Sequence, residues 1–183
     1  LRQGQSKALE AWSVGCSTGE EAYTLAMILE DCVREQPRPC YYAVTGTDIS
    51  LEALEKARAA RYGPRKLVTT SEEVRERYFQ PAQKGELEVV PAIRDRVCFS
   101  QLNVLKLNKA PMHGMDIILC ENVLIYFRRW RRREIASRLA ERLASGGLLV
   151  LGQGELTDWQ HPDLERVRSG QAQAWRRRSH SNE

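Results

Sequence analysis

Between Leu9 and Ala60 the chain alternates short apolar runs with segments of helical period, and this alternation restricts the fold more than any other feature. Leu9 to Val14 reads as a strand, and a helix from about Glu20 to Glu35 sets Leu25, Ile28, Leu29 and Cys32 on one face. Pro37 and Pro39 end that helix. Tyr41 to Thr45 is a second strand, and Ile49 to Ala60 a second helix with Ser50 as its N-cap. Strand-helix-strand crossovers return the chain parallel to its start, so the expectation is an α/β fold with helices on both faces of a largely parallel sheet.

The alternation lapses from about residue 62 to 97. Gly63-Pro64, a charged helix led by Ser71, a turn at Lys84-Gly85 and a short strand from Leu87 to Val90 read as an insertion. The pattern then resumes with strands at Val97 to Ser100 and Asp116 to Cys120 and a helix from about Arg131 to Leu143. Ser145-Gly146-Gly147 is its expected stop, and Leu148 to Leu151 the next strand. Ala172 to Arg176 alternates with period two and is expected as a last strand at the sheet edge. A chain of 183 residues is long enough for one well-buried core and too short for two comfortable domains. One domain over residues 1–183, with the insertion inside it, is therefore expected.

No stretch approaches the roughly 20 apolar residues that cross a bilayer, and no leader pattern is present. The expectation is a cytoplasmic protein without membrane insertion. Because the first residue is Leu1 rather than Met, the chain reads as a piece of a longer protein. Five dispersed cysteines without C-x-x-C spacing fit thiols in a reducing compartment. They offer no metal site, and nor do His113, His161 and His180. The formal net charge of +4 owes much to Arg128, Arg129, Arg131, Arg132 and Arg133 around Trp130, and to Arg176 to Arg178 after Trp175. Such runs with aromatics occur in nucleic-acid binders, but on a helix they read as a solvated face, so nucleic acid is not the expected partner.

The residues that carry chemistry follow the expected strand ends, where open parallel sheets bind ligands. Val14-Gly15-Cys16-Ser17-Thr18-Gly19-Glu20-Glu21 joins strand to helix through two glycines that permit close backbone approach. It lacks the Gly-Lys-Ser/Thr ending of a phosphate loop, and its two acids would repel a phosphate. Those acids either complement the helix dipole or meet a cationic ligand such as the amino and sulfonium groups of S-adenosylmethionine. Asp48, after the second strand, is placed either to accept hydrogen bonds from ribose hydroxyls or to cap the helix that follows. Gln101-Leu102-Asn103-Val104 and Glu121-Asn122-Val123-Leu124-Ile125-Tyr126-Phe127 supply asparagines, which serve an adenine edge or simple turn chemistry equally well.

The string from Gly15 to Met27 resembles the cofactor loop and following helix of CheR-type enzymes, which methyl-esterify chemoreceptor glutamates. Thr47-Asp48-Ile49-Ser50, Arg77-Tyr78-Phe79, Asn122 to Phe127, and Gly146-Gly147-Leu148-Leu149 with Gly152 and Glu155 continue the likeness, which covers about residues 10 to 156. The resemblance implies a class I methyltransferase fold, Rossmann-like, with a small inserted antiparallel β-subdomain. It also implies S-adenosyl-L-methionine as cofactor and, as partner, the cytoplasmic part of a methyl-accepting chemotaxis receptor. Carried over by position, Gly15 and Gly19 shape the cofactor loop, Glu20 or Glu21 holds the methionine amino group, and Asp48 holds the ribose. Asn103, Val104, Asn122 and Val123 line the adenine and methionine pocket, and Tyr126 is the candidate catalytic residue beside the transferred methyl. The basic run from Arg128 and the tryptophan-rich tail resemble the branch serving type IV pilus chemosensory systems, often called PilK.

Two departures stand out. The family's N-terminal helical domain is not in this sequence, and Glu121 occupies the place where the family usually has arginine. An acid there repels a substrate carboxylate unless it pairs with an arginine such as Arg128. A methyltransferase acting on RNA and a non-catalytic cofactor-binding module are the alternatives.

Overall fold

A computed structural model describes residues 8–38, 40–167 and 172–179. Pro39, His180 and the first seven residues, to which the sequence reading also appealed, lie outside the described residues. Seven strands form one sheet: β1 (Leu9–Val14), β2 (Tyr42–Asp48), β6 (Val97–Gln101), β7 (Met115–Cys120), β8 (Leu143–Leu151), β9 (Leu164–Val167) and β10 (Gln173–Arg177). Their order is β6-β2-β1-β7-β8-β10-β9, parallel as far as β8, with β10 antiparallel to both of its neighbours.

Period-two alternation in β1 assigns its side chains to the two faces of the sheet. Trp12 and Val14 join the core under α5 (Arg129–Ala140), whereas Ala11 joins the core under α1 (Glu20–Arg34) and α2 (Leu51–Ala59). Chain order reverses between β2-β1 and β1-β7, which opens a crevice beyond the carboxyl ends of these central strands. Locally the helices start as their sequences direct. Ser50 Oγ accepts from Ala53 N at 3.2 Å, and Ser71 Oγ accepts from Val74 N at 3.3 Å to open α3 (Glu72–Tyr78).

The segment read as an insertion forms a second, antiparallel sheet of β3 (Arg61–Tyr62), β5 (Leu87–Val89) and β4 (Phe79–Pro81). Tyr62, Leu67, Tyr78, Val89 and Ile93, the last in α4 (Pro91–Arg94), pack into the α1 side of the core. The expected α/β sheet with its small antiparallel addition is thus present.

Several expectations are corrected. The late helix begins at Arg129 and ends at Ala140, earlier than expected at both ends. Ser145-Gly146-Gly147 does not stop a helix but lies within β8, where pairing with β7 slips between Met115 and Ile117. A Cβ on Gly147 would approach Met115 O to 2.7 Å, so the glycine permits this irregular crossing. The last strand is not at the edge: β10 lies between β8 and the unforeseen β9.

The arginines around α5 are not all solvated. Arg142 is buried and donates to the carbonyls of Leu107, Ala110 and Met112 at 2.5, 2.7 and 3.0 Å. Replacing Arg142 by Met should strand these carbonyls and cost about 3 kcal/mol, read as a lowered urea midpoint with an unchanged m value.

Candidate cofactor-binding site

Three loops converge at the carboxyl ends of β1, β2 and β7. The first leaves β1 at Gly15, whose φ of +72° suits glycine and whose added Cβ would meet Val123 Cγ2 at 2.3 Å. Gly15 thus lets the first loop touch the β7 loop. The amides of Gly15 and Cys16 donate to Thr47 O at 2.7 and 2.9 Å, fastening the loop to β2. Gly19, at φ +91°, precedes α1 without a side-chain cap, and its missing Cβ leaves room for Ala57 of α2.

Asp48 ends β2 and binds both neighbouring segments. Its Oδ2 accepts from Ser17 N at 2.9 Å and its Oδ1 from Ser50 N at 2.8 Å. Each carboxylate oxygen retains a free lone pair for a ligand hydroxyl. The two readings of Asp48 are therefore compatible: it braces the start of α2, while Ser50 provides the cap.

The paired acids after Gly19 separate. Glu20 turns toward the insertion, where it accepts from Thr18 Oγ1 and pairs with Lys66. Burial raises its pKa, but hydrogen bonds from Lys66 and Thr18 outweigh that effect and hold the carboxyl below its usual range. Glu21 turns inward and accepts from Ser13 Oγ at 2.6 Å. Burial pushes Glu21 up to about 7 against the Ser13 hydrogen bond, and the charges of Glu121 and Glu155 push it in the same direction.

Glu155 is buried and accepts from Gly152 N at 2.9 Å and Ile125 N at 3.3 Å. Among the described residues, neither Arg128 nor any other cation forms an ion pair with Glu21, Glu121 or Glu155. Glu21, buried and facing the charges of Glu121 and Glu155, is costly to ionise, and a cationic ligand relieves that cost. Cys16 lies beside them; burial, Asp48 and Glu21 push its thiol up to about 12, which makes it packing rather than a nucleophile.

The remaining predicted residues lie on the loops that follow β6 and β7. Asn103 Oδ1 accepts from Leu105 N at 2.9 Å, so part of its polarity serves a turn. Val104 and Val123 are half-buried against the α5-side core. Asn122 is exposed at φ +58°, a left-handed conformation that asparagine tolerates. Tyr126 is 81% exposed on a single 3₁₀ turn.

Sequence reasoning missed the residues that brace these loops. Arg132 donates to the carbonyls of Ile125, Phe127 and Glu155 at 3.2, 2.8 and 3.0 Å, tying the β7 and β8 loops together. Ser13 is fully buried among apolar neighbours, and a hydroxyl in such a strand was the one available signal that a partner faces it.

A sheet in this order, with a glycine loop after β1, acids at the start of α1 and an acid at the end of β2, defines the class I methyltransferase architecture. Solved structures agree on the fold. Magnesium protoporphyrin IX methyltransferase from Synechocystis, solved with bound SAM, is 16% identical with a TM-score of 0.54, covering 95% of this chain and 72% of that one. A TehB-like SAM-dependent methyltransferase from Corynebacterium glutamicum is 12% identical with a TM-score of 0.52, covering 96% and 83%.

The family model described as CheR methyltransferase, SAM binding domain, matches residues 1–174, and the chain belongs to that family. Chemotaxis protein methyltransferase Cher2 of Pseudomonas putida is 33% identical over 158 residues, covering 85% of this chain and 57% of the relative. The chemotaxis protein methyltransferase of Escherichia coli is 34% identical over 154 residues, covering 82% and 53%. The chain thus spans about half the length of these relatives.

The raised pKa of Glu21 has a checkable sign. A carboxyl that is easier to protonate when folded stabilises the ligand-free protein fully below its unfolded pKa near 4.5, and that contribution is lost as pH rises through about 7. Glu21→Gln should remove about 1 kcal/mol of this fall, as Glu21 is partly exposed; urea titrations of both proteins between these limits measure it.

Proposed function

We propose that this chain is the cofactor-binding domain of a cytoplasmic S-adenosylmethionine-dependent methyltransferase that esterifies glutamate side chains on a methyl-accepting chemotaxis receptor. The observation that carries this reading is the group of cation-free carboxylates, Glu21, Glu121 and Glu155, beside a ribose-competent Asp48 at the adjacent strand end. Dinucleotide cofactors bring phosphates, which such a group repels; a ligand with ammonium and sulfonium charges suits it. Among the described residues no helix is long and apolar enough to cross a membrane.

Each residue has a role in this reading. Glu21, set toward the crevice by Ser13, takes the methionine amino group, while Glu20 serves the insertion through Lys66. Asp48 takes the ribose hydroxyls. Gly15 and Gly19 keep the first loop slender enough for close approach, and Asn103, Val104, Asn122 and Val123 line the adenine and methionine pocket. S-adenosylmethionine, when bound, supplies a methyl group activated by its sulfonium. A glutamate carboxylate is already ionised near neutral pH and needs no general base from the chain. What remains for the protein is to hold and orient, and Tyr126, exposed on the turn after β7, is the residue we assign to the substrate carboxylate.

Calorimetric titration with S-adenosylhomocysteine tests this, using the chain as given and the same chain extended at its N-terminus. Binding is expected, and Asp48→Ala should weaken it by about tenfold to a hundredfold, the value of one or two charge-assisted hydrogen bonds. Absence of binding by both lengths of chain contradicts the reading.

A further inference from the structure

The first turn of α5 is built against its own dipole. Arg129, Arg131 and Arg132 stand at the helix N-terminus, no acid accompanies them, and the preceding Arg128 provides no side-chain cap. Cations at this end oppose the macrodipole, so a reason for each arginine is required. Three have a structural one. Arg132 braces the crevice loops, Arg131 pairs with Glu134 at 2.5 Å and lies 4.1 Å from the Trp130 ring centroid, and Arg133 donates to Asp158 O at 3.2 Å.

Arg128 and Arg129 have none. The Arg128 carbonyl accepts from Arg131 N and Arg132 N, but its exposed side chain forms no hydrogen bond or ion pair among the described residues. Arg129 reaches Asp158 only at 3.5 Å, with both side chains mostly in water, a contact of little worth. Beside them Ile125, Tyr126 and Trp130 expose 47, 81 and 58% of their surface within six residues of chain. Arginine, tyrosine and tryptophan clustered on an exposed turn have the composition of a protein-interface hot spot.

Resting on the methyltransferase reading above, we propose that Arg128, Arg129 and Trp130, with Tyr126 at its inner border, form a docking patch for an acidic helical segment of the protein substrate. The charge distribution selects this occupant. The crevice itself carries Glu21, Glu121 and Glu155, so attraction for an anionic substrate has to come from outside it, and the exposed guanidiniums of Arg128 and Arg129, the latter only loosely held by Asp158, supply it. Nucleic acid presents a continuous phosphate backbone and requires a broad basic track, whereas two exposed arginines with Asp158 beside them suit discrete, spaced glutamates. An acidic helix can rest its flanking carboxylates on Arg128 and Arg129 and its apolar stripe on Trp130 while one side chain turns into the crevice.

The test is fluorescence anisotropy with a labelled alanine-based helical peptide of about 20 residues carrying several glutamates, in the presence of S-adenosylhomocysteine. Arg128→Glu with Arg129→Glu should weaken peptide binding about tenfold or more, while Arg128→Lys with Arg129→Lys largely retains it. The same charge change at the exposed Arg75 and Arg176 should leave it nearly unchanged. Equal losses in the two reversed variants, or no peptide binding by the parent, overturn the proposal. So does a single-stranded RNA of equal length that displaces the peptide and depends on Arg128 and Arg129. Cofactor binding by each variant is titrated in parallel. Peptide capture through the patch without S-adenosylhomocysteine binding would count against the methyltransferase reading and not against the patch.

Discussion

The pairing of β1 with β2 is the constraint on which the rest of this structure depends. Trp12, fully buried, donates from its indole nitrogen to Thr47 Oγ1 at 2.9 Å, and the Thr47 carbonyl takes the amides of Gly15 and Cys16. One threonine therefore fixes both the register of the two central parallel strands and the departure of the first loop. Glu21 and Asp48 inherit their positions from this arrangement: Ser13 of β1 holds one, and the amides on either side of the loop hold the other. A one-residue slip would turn Ser13 to the opposite face and remove the partner of Glu21.

The second constraint is electrostatic. Among the described residues no cation pairs with the carboxyls of Glu21, Glu121 or Glu155, and burial, aided by the charges of Glu121 and Glu155, raises Glu21 to about 7. Backbone amides hold Glu155 and Ser13 holds Glu21, while Arg132 binds three carbonyls rather than any of the carboxylates. Negative potential is thus preserved within the crevice while positive charge is left on the adjoining turn of α5. The separation bears directly on Glu121, which has no partnering arginine among the described residues and adds its charge to that facing Glu21.

Much of the fold was legible because it follows from local pattern. The apolar run at Leu9–Val14, the glycine turn after it, and Ser50 and Ser71 at helix starts are each decided by neighbours within a few residues. The errors fall where distant pairing decides. Leu164–Val167 is four residues with two charges and becomes a strand only because β10 lies beside it. Gly146-Gly147 has the chemistry of a helix stop, yet β7 draws it into a strand. The same division holds at the site. The loops and their acids were visible in sequence, but which glutamate turns inward depends on Ser13 on one side and Lys66 on the other, and the brace from Arg132 depends on carbonyls up to 23 residues away.

The most direct test of the central claim is the chemistry of the transferred methyl group. The chain, extended at its N-terminus, is incubated with methyl-labelled S-adenosylmethionine and the cytoplasmic part of a chemoreceptor, and the labelled receptor is then treated with mild base. Release of the label as methanol, abolished when the accepting glutamates are changed to alanine, is the predicted result. Label that resists base, or that appears on nucleic acid and not on the receptor, would contradict the account.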